Sequence, residues 1–457
     1  MMETIIIIVF LAGYLAITLE HNLKIDKLIP ALAMMAILWA LIALGVDGYE
    51  NWFDSAKQSL VEGFSSMNHD GRMHLVEESL LHHLGKTAEI LFFLLGAMTI
   101  VEIIDYFDGF ATIKGFIKTK QKGKLLWLFS ILAFILSAII DNLTATIVLI
   151  TILQKVIKDR ETKLWFAGMI VITANAGGAW SPIGDVTTTM LWIANKVSAG
   201  ELVIHVLLPS LVCMLVPVLI AGRFKVFKGL IDGDLDDESP KSKYGSTMLY
   251  LGLGAILFVP IFKTVTHLPP YVGMMLSLAV VATFAEIYSN KKFSISSLDG
   301  DEHSTGGHHS PVHHSLSKIE LPSILFFLGI LLAVAAMESL GILFNYAESL
   351  NQAIPNTDIV VLLFGIGSAI IDNVPLVAAS MGMFSEPMDS PLWHFIAYSA
   401  GTGGSMLIIG SAAGVVAMGM EKIDFFWYLK KIAWLAFVGF ISGAATFILL
   451  RDFVLHG

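Results

Sequence analysis

Long apolar runs separated by short polar loops dominate the chain. Most runs approach 20 residues, about the length at which an α-helix crosses the hydrocarbon core of a bilayer. The runs are unbroken rather than alternating, which favours helices over the strands of a membrane barrel. The apolar segments lie near residues 4–20, 28–46, 88–106, 125–153, 164–198, 202–222, 245–262, 270–288, 321–345, 358–384, 391–419 and 432–450. This pattern predicts an all-α polytopic membrane protein.

Composition supports the same class. Of 457 residues, 56% are hydrophobic and only 14% are charged, against roughly 25% charged in soluble domains. The single cysteine, Cys213, excludes a disulfide framework and a cysteine metal cluster. The sequence contains no Walker or dinucleotide glycine motif, so we expect no ATP-driven engine, no cofactor and no nucleic-acid partner. The start of the chain lacks a signal-peptide pattern, and we interpret it as a retained first span.

The distribution of basic residues predicts two re-entrant hairpins. Lysine-rich loops flank segment 125–153 on both sides, and such loops stay inside. The segment therefore enters and returns, with Asp141 at its tip, where non-helical backbone must be buried in protein or line a cavity. Segment 358–384 has acidic flanks without lysine or arginine, so both flanks should lie outside, with Asp372 at the tip. Ten full spans and two hairpins satisfy every basic loop and place both termini outside.

An internal repeat underlies this arrangement. The hexapeptide Ser-Ala-Ile-Ile-Asp-Asn occurs at 137–142 and again at 368–373, and the pair Gly177-Gly178 recurs as Gly403-Gly404. Because each half has an odd number of spans, the two halves have opposite orientations in the membrane. Inverted repeats with interrupted helices are typical of secondary transporters. The predicted units are a first inverted repeat at 1–222 (hairpin 125–153, broken span 164–198, span 202–222), a cytoplasmic polar linker at 223–244, and a second inverted repeat at 245–451 (hairpin 358–384, broken span 391–419, span 432–450).

Polar residues cluster where the hairpins and two glycine-rich broken spans should meet. Broken helices free carbonyl groups and present half-helix ends, and these oxygen ligands suit hard ions such as Na⁺. The candidate ion- and proton-binding residues are Asp141, Asn142, Thr144, Thr173, Asn175, Ser181, Asp185, Asp372, Asn373, Thr402, Ser405 and Ser411.

Asp141 and Asp372 are the critical pair, and we expect them to bind Na⁺. An acid at membrane depth is a functional hypothesis by default, because an unpaired carboxylate there is costly. Competition of Na⁺ and H⁺ for such carboxylates is itself an exchange mechanism if only loaded states cross. The structural alternative is that these residues only cap the second hairpin helices, and that Asp185 only caps the helix beginning at Val186. The hydroxyl residues could likewise bond only within their own helices.

Other polar residues have weaker signals. For Glu102, Asp105 and Glu338, near span ends, we favour structural or access roles. The histidine tract His303, His308, His309, His313 and His314 is interpreted as a solvated loop, with metal or pH sensing as the alternative. The outer loop 47–86 carries four more histidines and is expected to hold an amphipathic surface helix.

The paired hexapeptides, and above all Asp-Asn-Val-Pro-Leu-Val-Ala-Ala at 372–379, resemble the ion transporter superfamily. Within it the chain looks like the NhaD-type sodium/proton antiporters. The resemblance implies Na⁺ or Li⁺ exchange for H⁺ in the bacterial inner membrane by a homodimer. It also implies an elevator, in which the first three spans of each repeat form a static scaffold. Carboxylate importers of the superfamily show Ser-Asn-Thr at the tips, whereas here each tip begins with an aspartate, which fits a cation.

Three alternatives stay open. One is another carrier on the same scaffold, for an anion, a dicarboxylate or arsenite, although the tip aspartates argue against it. Another is an intramembrane enzyme with an aspartate dyad, but an enzyme needs no inverted repeat and nothing here resembles a substrate groove. The third is a channel, which the bulky apolar residues at the tips disfavour.

Overall fold

The computed structural model describes residues 2–54, 59–231, 242–296 and 310–455, which are mostly helical. The first helices are α1 (Met2–Thr18), α2 (Glu20–Leu23), α3 (Leu28–Gly45), α4 (His69–Tyr106), α5 (Ala111–Lys114), α6 (Lys122–Ile140), α7 (Asn142–Val156), α8 (Arg160–Gly178), α9 (Val186–Ile193) and α10 (Ala199–Ala221). The later helices are α11 (Gly245–Thr266), α12 (Pro270–Ser296), α13 (Pro311–Lys318), α14 (Leu321–Ser339), α15 (Ile342–Ala353), α16 (Thr357–Ser368), α17 (Asn373–Met383), α18 (Pro391–Gly403), α19 (Ala412–Glu421), α20 (Phe425–Lys431) and α21 (Ala433–Leu450), which continues into a π-helical turn at Arg451–Leu455.

Eight of the described helices are long and apolar enough to cross a membrane. Seven of these, in α3, α4, α10, α11, α12, α14 and α21, coincide with predicted full spans. The eighth, α6, is the first arm of a predicted hairpin and has the 19 residues of a short span. Its re-entrant path therefore remains a prediction.

One set of helices, the scaffold group, comprises α1, α3, α4, α11, α12 and α14. Its closest pairings are α3 with α14, α11 with α12, and α4 with α12. Small residues allow this proximity, as is usual between membrane helices. A β-carbon added at Gly329 of α14 would lie 2.8 Å from the backbone carbon of Ala31 in α3.

A second set, the core group, comprises α6–α10 and α16–α21. Helix α6 packs against α8 in the first half, and α16 packs against α18 in the second. The last helices of the two halves, α10 and α21, pack against each other, and a β-carbon at Gly439 would lie 2.6 Å from the carbonyl oxygen of Cys213. The core group therefore contains the segments of both predicted hairpins and both predicted broken spans.

Four interruptions divide the core group. Only Asp141 separates α6 from α7, while residues 369–372 separate α16 from α17. Residues 179–185 divide α8 from α9, and residues 404–411 divide α18 from α19. The breaks lie at or directly beside the glycine and Asp-Asn positions singled out in the sequence.

The repeated hexapeptide makes the same contact twice. In the first half the Ser137 hydroxyl donates to the carbonyl oxygen of Ala174 over 2.6 Å. In the second half the Ser368 hydroxyl donates to the carbonyl oxygen of Ala400 over 2.9 Å. The serine thus ties the first helix of each hairpin to the helix that precedes the break.

Two glycines make a second equivalent contact. A β-carbon at Gly177 would collide with the carbonyl oxygen of Phe134, and one at Gly403 would collide with that of Gly365. Hairpin and broken helix therefore approach backbone to backbone in both halves, and only glycine leaves room for it.

The structure differs from the sequence analysis outside the core group. The outer surface helix expected within 47–86 is continuous with the following span, because α4 runs unbroken for 38 residues. The same loop holds a two-stranded antiparallel sheet, β1 (Phe53–Asp54) with β2 (Ser59–Leu60), in a chain predicted to be all-α.

Part of the histidine tract is helical rather than loop. His313 and His314 belong to α13, which begins where the Ser310 hydroxyl caps it. The rest of the tract (His303, His308 and His309) and the acidic part of the linker, 232–241, lie outside the described residues.

Candidate functional site

The first hairpin tip is closed by its own residues. Asp141 has a φ of 92°, a conformation uncommon for any residue but glycine. Its carboxylate caps α7, because it accepts the main-chain N–H of Thr144 at 2.7 Å and the Thr144 hydroxyl at 2.9 Å. Both of its oxygens therefore have a donor within the tip itself.

The second tip has the same aspartate but fewer donors. Within its own tip, Asp372 accepts one long hydrogen bond, from the Val374 N–H at 3.4 Å. The next residue, Pro375, occupies the position of Thr144 and has neither an N–H nor a hydroxyl. The other oxygen of Asp372 instead forms an ion pair with Lys27 at 2.7 Å.

Asp185 lies where the two tips meet. It is 2% exposed and caps α9 by accepting the N–H and the hydroxyl of Thr187 at 2.9 and 2.8 Å. Its other oxygen accepts from Asn142 of the first tip at 2.6 Å and from Asn373 of the second at 3.3 Å. One carboxylate therefore binds the asparagine of both hexapeptides.

Asn175 and Ser411 link the two broken segments. The side-chain amide of Asn175 donates to the Ser411 hydroxyl at 3.1 Å, and its oxygen accepts from Asn142 at 3.2 Å. Ser411 also caps α19 by accepting the N–H of Gly414. Ser411 holds in the second half the place that Asp185 holds in the first, so an acid in one half corresponds to a neutral hydroxyl in the other.

The remaining candidate hydroxyls bond within their own segments. Thr173 donates to the carbonyl of Met169, Thr402 to that of Tyr398, and Ser405 to that of Thr402. The Ser181 hydroxyl accepts from the N–H of Ile183. These four residues surround the site from within the core group and do not line the cavity described next.

An internal cavity of about 90 Å³ brings the acids together. Its volume leaves room for a cation with a few water molecules. Apolar residues of α4, α11, α12 and α14 form one wall, so the cavity lies at the boundary between the scaffold and core groups. Its polar lining consists of Lys27, Asp141, Asn142, Thr144, Asp185, Thr189, Ser323, Asp372 and Asn373.

The carboxylates share the cavity without forming one compact cluster. Among the described residues, no three acidic, histidine or cysteine side chains converge closely enough to hold a single metal ion. A cation in this conformation would therefore draw most of its ligands from amide, hydroxyl and carbonyl oxygens, with one or two carboxylates supplying charge.

A larger cavity of about 470 Å³ adjoins the first. Glu20, Ser411 and the aromatic residues Phe425 and Phe426 line it. Of the residues lining either cavity, only Lys27 and Asp372 line both. Their ion pair therefore stands between the two spaces.

A third cavity of about 180 Å³ lies between α4 and α14 on one side and α9 and α17 on the other. Its charged and titratable lining residues are His82, His83, Lys86, Lys196 and Glu338. Glu338 thus lines a cavity at the group boundary, as an access role would require, and the role itself stays a prediction.

Lys27, Thr189 and Ser323 are the polar residues of the cavity lining that the sequence analysis missed. Lys27 directly precedes α3, and a lysine at the start of an apolar helix usually marks only which side of the membrane that end lies on. The four central segments contain one lysine, Lys196 near the end of 164–198, which lines the third cavity rather than the site, whereas Lys27 reaches the site from outside these segments. Thr189 lies one helical turn after Asp185, and that spacing could have identified it.

Comparison with known proteins shows what the chain is similar to. The family model described as "Citrate transporter" (CitMHS) matches residues 6–393. The chain is 40% identical over 451 residues to "Sodium/proton antiporter 1" of Arabidopsis thaliana, covering 97% of this chain and 72% of the relative. It is 32% identical over 384 residues to "Na(+)/H(+) antiporter NhaD" of Vibrio parahaemolyticus, covering 80% of this chain and 91% of the relative.

A solved structure shares the fold. The YdaH transporter of Alcanivorax borkumensis aligns over 94% of this chain and 98% of its own, with a TM-score of 0.59 at 13% sequence identity. At that identity the likeness concerns the fold alone.

Proposed function

Because the chain belongs to the CitMHS family of the ion transporter superfamily and, within it, to the NhaD-type sodium/proton antiporters, we propose that it exchanges Na⁺ or Li⁺ for H⁺. The observation that carries this proposal is the small cavity lined by Asp141, Asp185 and Asp372. With one lysine beside three aspartates, its lining bears two negative charges when all four groups are ionised. Such a lining attracts a small cation.

The exchange follows from the cost of an uncompensated charge away from water. A carboxylate in the cavity needs a positive partner, and either Na⁺ or a proton meets that need. Binding of one therefore favours loss of the other. The amide oxygens of Asn142 and Asn373 and the hydroxyl of Thr189 line the same cavity and would serve as neutral ligands. Na⁺ accepts such hard oxygens readily.

The movement that carries the ion is proposed to be an elevator. The core group would move as a unit against a static scaffold group, taking the cavity from one side of the membrane to the other. Support comes from the position of the cavity at the boundary of the two groups and from the polar breaks, which all belong to the core group. The equivalent contacts of Ser137 and Ser368 support two related halves, which we propose to be inverted repeats joined by the 223–244 linker.

We propose that the protein is a homodimer in a bacterial inner membrane, with both termini outside. The basic loops that flank α6 and α7 support this orientation. The homodimer and the bacterial membrane rest on the resemblance to the family.

The cavity also argues against the main alternative. The matched family is described by the word citrate, and a citrate carrier would need cationic or neutral groups around several carboxylates. Here the one cation, Lys27, is paired with Asp372, and the other charged lining groups are acids. An anion would meet like charge on entering.

Transport in proteoliposomes with an imposed pH gradient tests the proposal. We expect added Na⁺ or Li⁺ to dissipate the gradient in the wild type, and each of Asp141→Asn and Asp372→Asn to abolish that response. Glu161→Gln, which neutralises an exposed acid far from the cavity, is the control and should behave as the wild type. Full activity in both aspartate variants, or uptake of labelled citrate without Na⁺-dependent proton movement, would overturn the proposal.

A further inference from the structure

We propose that Lys27 is a tethered cation that competes with the transported ion for Asp372. While it is bound there, it holds the core group against the scaffold group. This inference rests on the antiport function proposed above and assigns a gating role to a residue outside the repeated motifs.

The ammonium group of Lys27 is held by the scaffold group. Lys27 directly precedes the first residue of α3, and its Nζ lies 4.5 Å from the ring centroid of Phe326 in α14. That distance permits a cation–π attraction. In this position the same nitrogen donates to the Asp372 carboxylate at 2.7 Å. The pair therefore bridges the scaffold and core groups.

A neutral contact lies beside this bridge. The Tyr14 hydroxyl of α1 donates to the carbonyl oxygen of Pro375 at 3.0 Å. Tyr14 and Lys27 thus hold the same tip from the same scaffold. Of the two contacts, only the ion pair responds to the charge state of the carboxylate.

Asp372 is available to Lys27 because its own tip does not satisfy it. At the first tip, Thr144 supplies two close donors to Asp141. At the second, Pro375 supplies none, and the Val374 N–H lies 3.4 Å away. A carboxylate that lacks internal donors at this depth needs an external cation. Lys27 supplies it until Na⁺ or H⁺ takes its place.

The position of the pair makes this competition unavoidable for an ion entering from the larger cavity. Lys27 and Asp372 line both the 470 Å³ and the 90 Å³ cavities. Glu20 lines the larger cavity together with Lys27, and Asp26 directly precedes Lys27 in the chain. A displaced ammonium group would therefore remain close to negative charge.

Strict exchange follows from this arrangement. With neither Na⁺ nor H⁺ on Asp372, the ion pair forms and the empty core group is held in place. With either ion bound, the pair is broken and the core group is free to move. An empty carrier that cannot cross prevents uncoupled flux of either ion.

The test measures radioactive Na⁺ uptake and proton flux together in proteoliposomes. We expect Lys27→Met to lower the KM for Na⁺ by about tenfold, the lower end of what one adjacent opposite charge does to proton binding by a carboxylate. We also expect the number of protons moved per Na⁺ to fall by at least about half, because an empty carrier then crosses unaided. Lys27→Arg should keep the wild-type ratio, since it keeps the charge.

Lys24→Met is the matched control, because Lys24 is exposed in the same connection and should leave both quantities unchanged. If Lys27→Met does not reconstitute, Lys27→Gln carries the same expectation. A wild-type KM and ratio in the neutral variants would overturn the inference, and so would complete loss of transport from a folded variant. Absence of Na⁺-dependent proton flux in the wild type would instead refute the antiport function.

Discussion

The two hairpin tips carry the same six residues, but their aspartates have different binding partners. At the first tip the aspartate is bound by its own turn through Thr144, and at the second it is bound by a lysine of the scaffold group. The cause is local: the third residue after the aspartate is a threonine in one tip and a proline in the other. Identical motifs therefore need not have identical roles.

What the tips share is the asparagine. Asn142 and Asn373 both donate to Asp185, so this part of each hexapeptide has one function in both halves. The aspartates make different contacts because the residues that follow them differ. The asparagines make the same contact because both donate to Asp185. Variants can test each side of this comparison.

The largest effect is expected where the tips converge. Asp185→Asn should reduce Na⁺-dependent proton flux by at least about a hundredfold, because both asparagines lose a charged acceptor, each such bond being worth about 1.5–3 kcal/mol. Ser411→Ala at the equivalent place removes a neutral cap and the hydroxyl that accepts from Asn175, each worth about 1 kcal/mol, and should cost about thirtyfold or less. The fluorescence of a pH-sensitive dye in proteoliposomes measures the proton flux of both variants. Equal losses in the two variants would contradict the different roles assigned to Asp185 and Ser411.

A smaller effect should follow from making the second tip resemble the first. In Pro375→Thr the introduced N–H and hydroxyl can donate to Asp372 and weaken its pairing with Lys27. We expect the ratio of H⁺ to Na⁺ to fall toward that of Lys27→Met, with Na⁺ transport retained. Measuring Pro375→Ala beside it separates the hydroxyl from the main-chain donor, and wild-type coupling in both variants would show that the proline does not govern the pairing.

The smallest effects are expected where the halves are equivalent. Ser137→Ala and Ser368→Ala each remove one buried hydroxyl bond to a carbonyl. Each should lower the free energy of unfolding by about 1 kcal/mol, with similar values for the two. Thermal unfolding in detergent gives the comparison, and a clear difference between the variants would show that the halves are not equivalent at this contact.

Much of the architecture could be predicted from the sequence because a membrane imposes strong local rules. Apolar length predicted seven of the spans, and the glycine and Asp-Asn positions predicted the four breaks between helices. The continuity of α4 could not be predicted, since a helix that leaves the membrane changes its surroundings without needing a break.

The site was only partly predictable, because its decisive contacts join distant parts of the chain. Lys27 and Asp372 are 345 residues apart, and no local pattern links them. The central position of Asp185 depends on two asparagines from different hairpins, although its capping role was foreseen as an alternative. Thr173, Thr402 and Ser405 looked like ligands by position, yet their hydroxyls are used by the preceding helical turn.

The single carboxylate held by two asparagines also has a consequence for protein engineering. Each half supplies one asparagine, but only the first supplies the acid. A chimera that replaces one half with a second copy of the other would contain either two such acids or none. The two halves therefore supply different members of one contact. An attempt to redesign ion selectivity must change Asp185, Asn142 and Asn373 together.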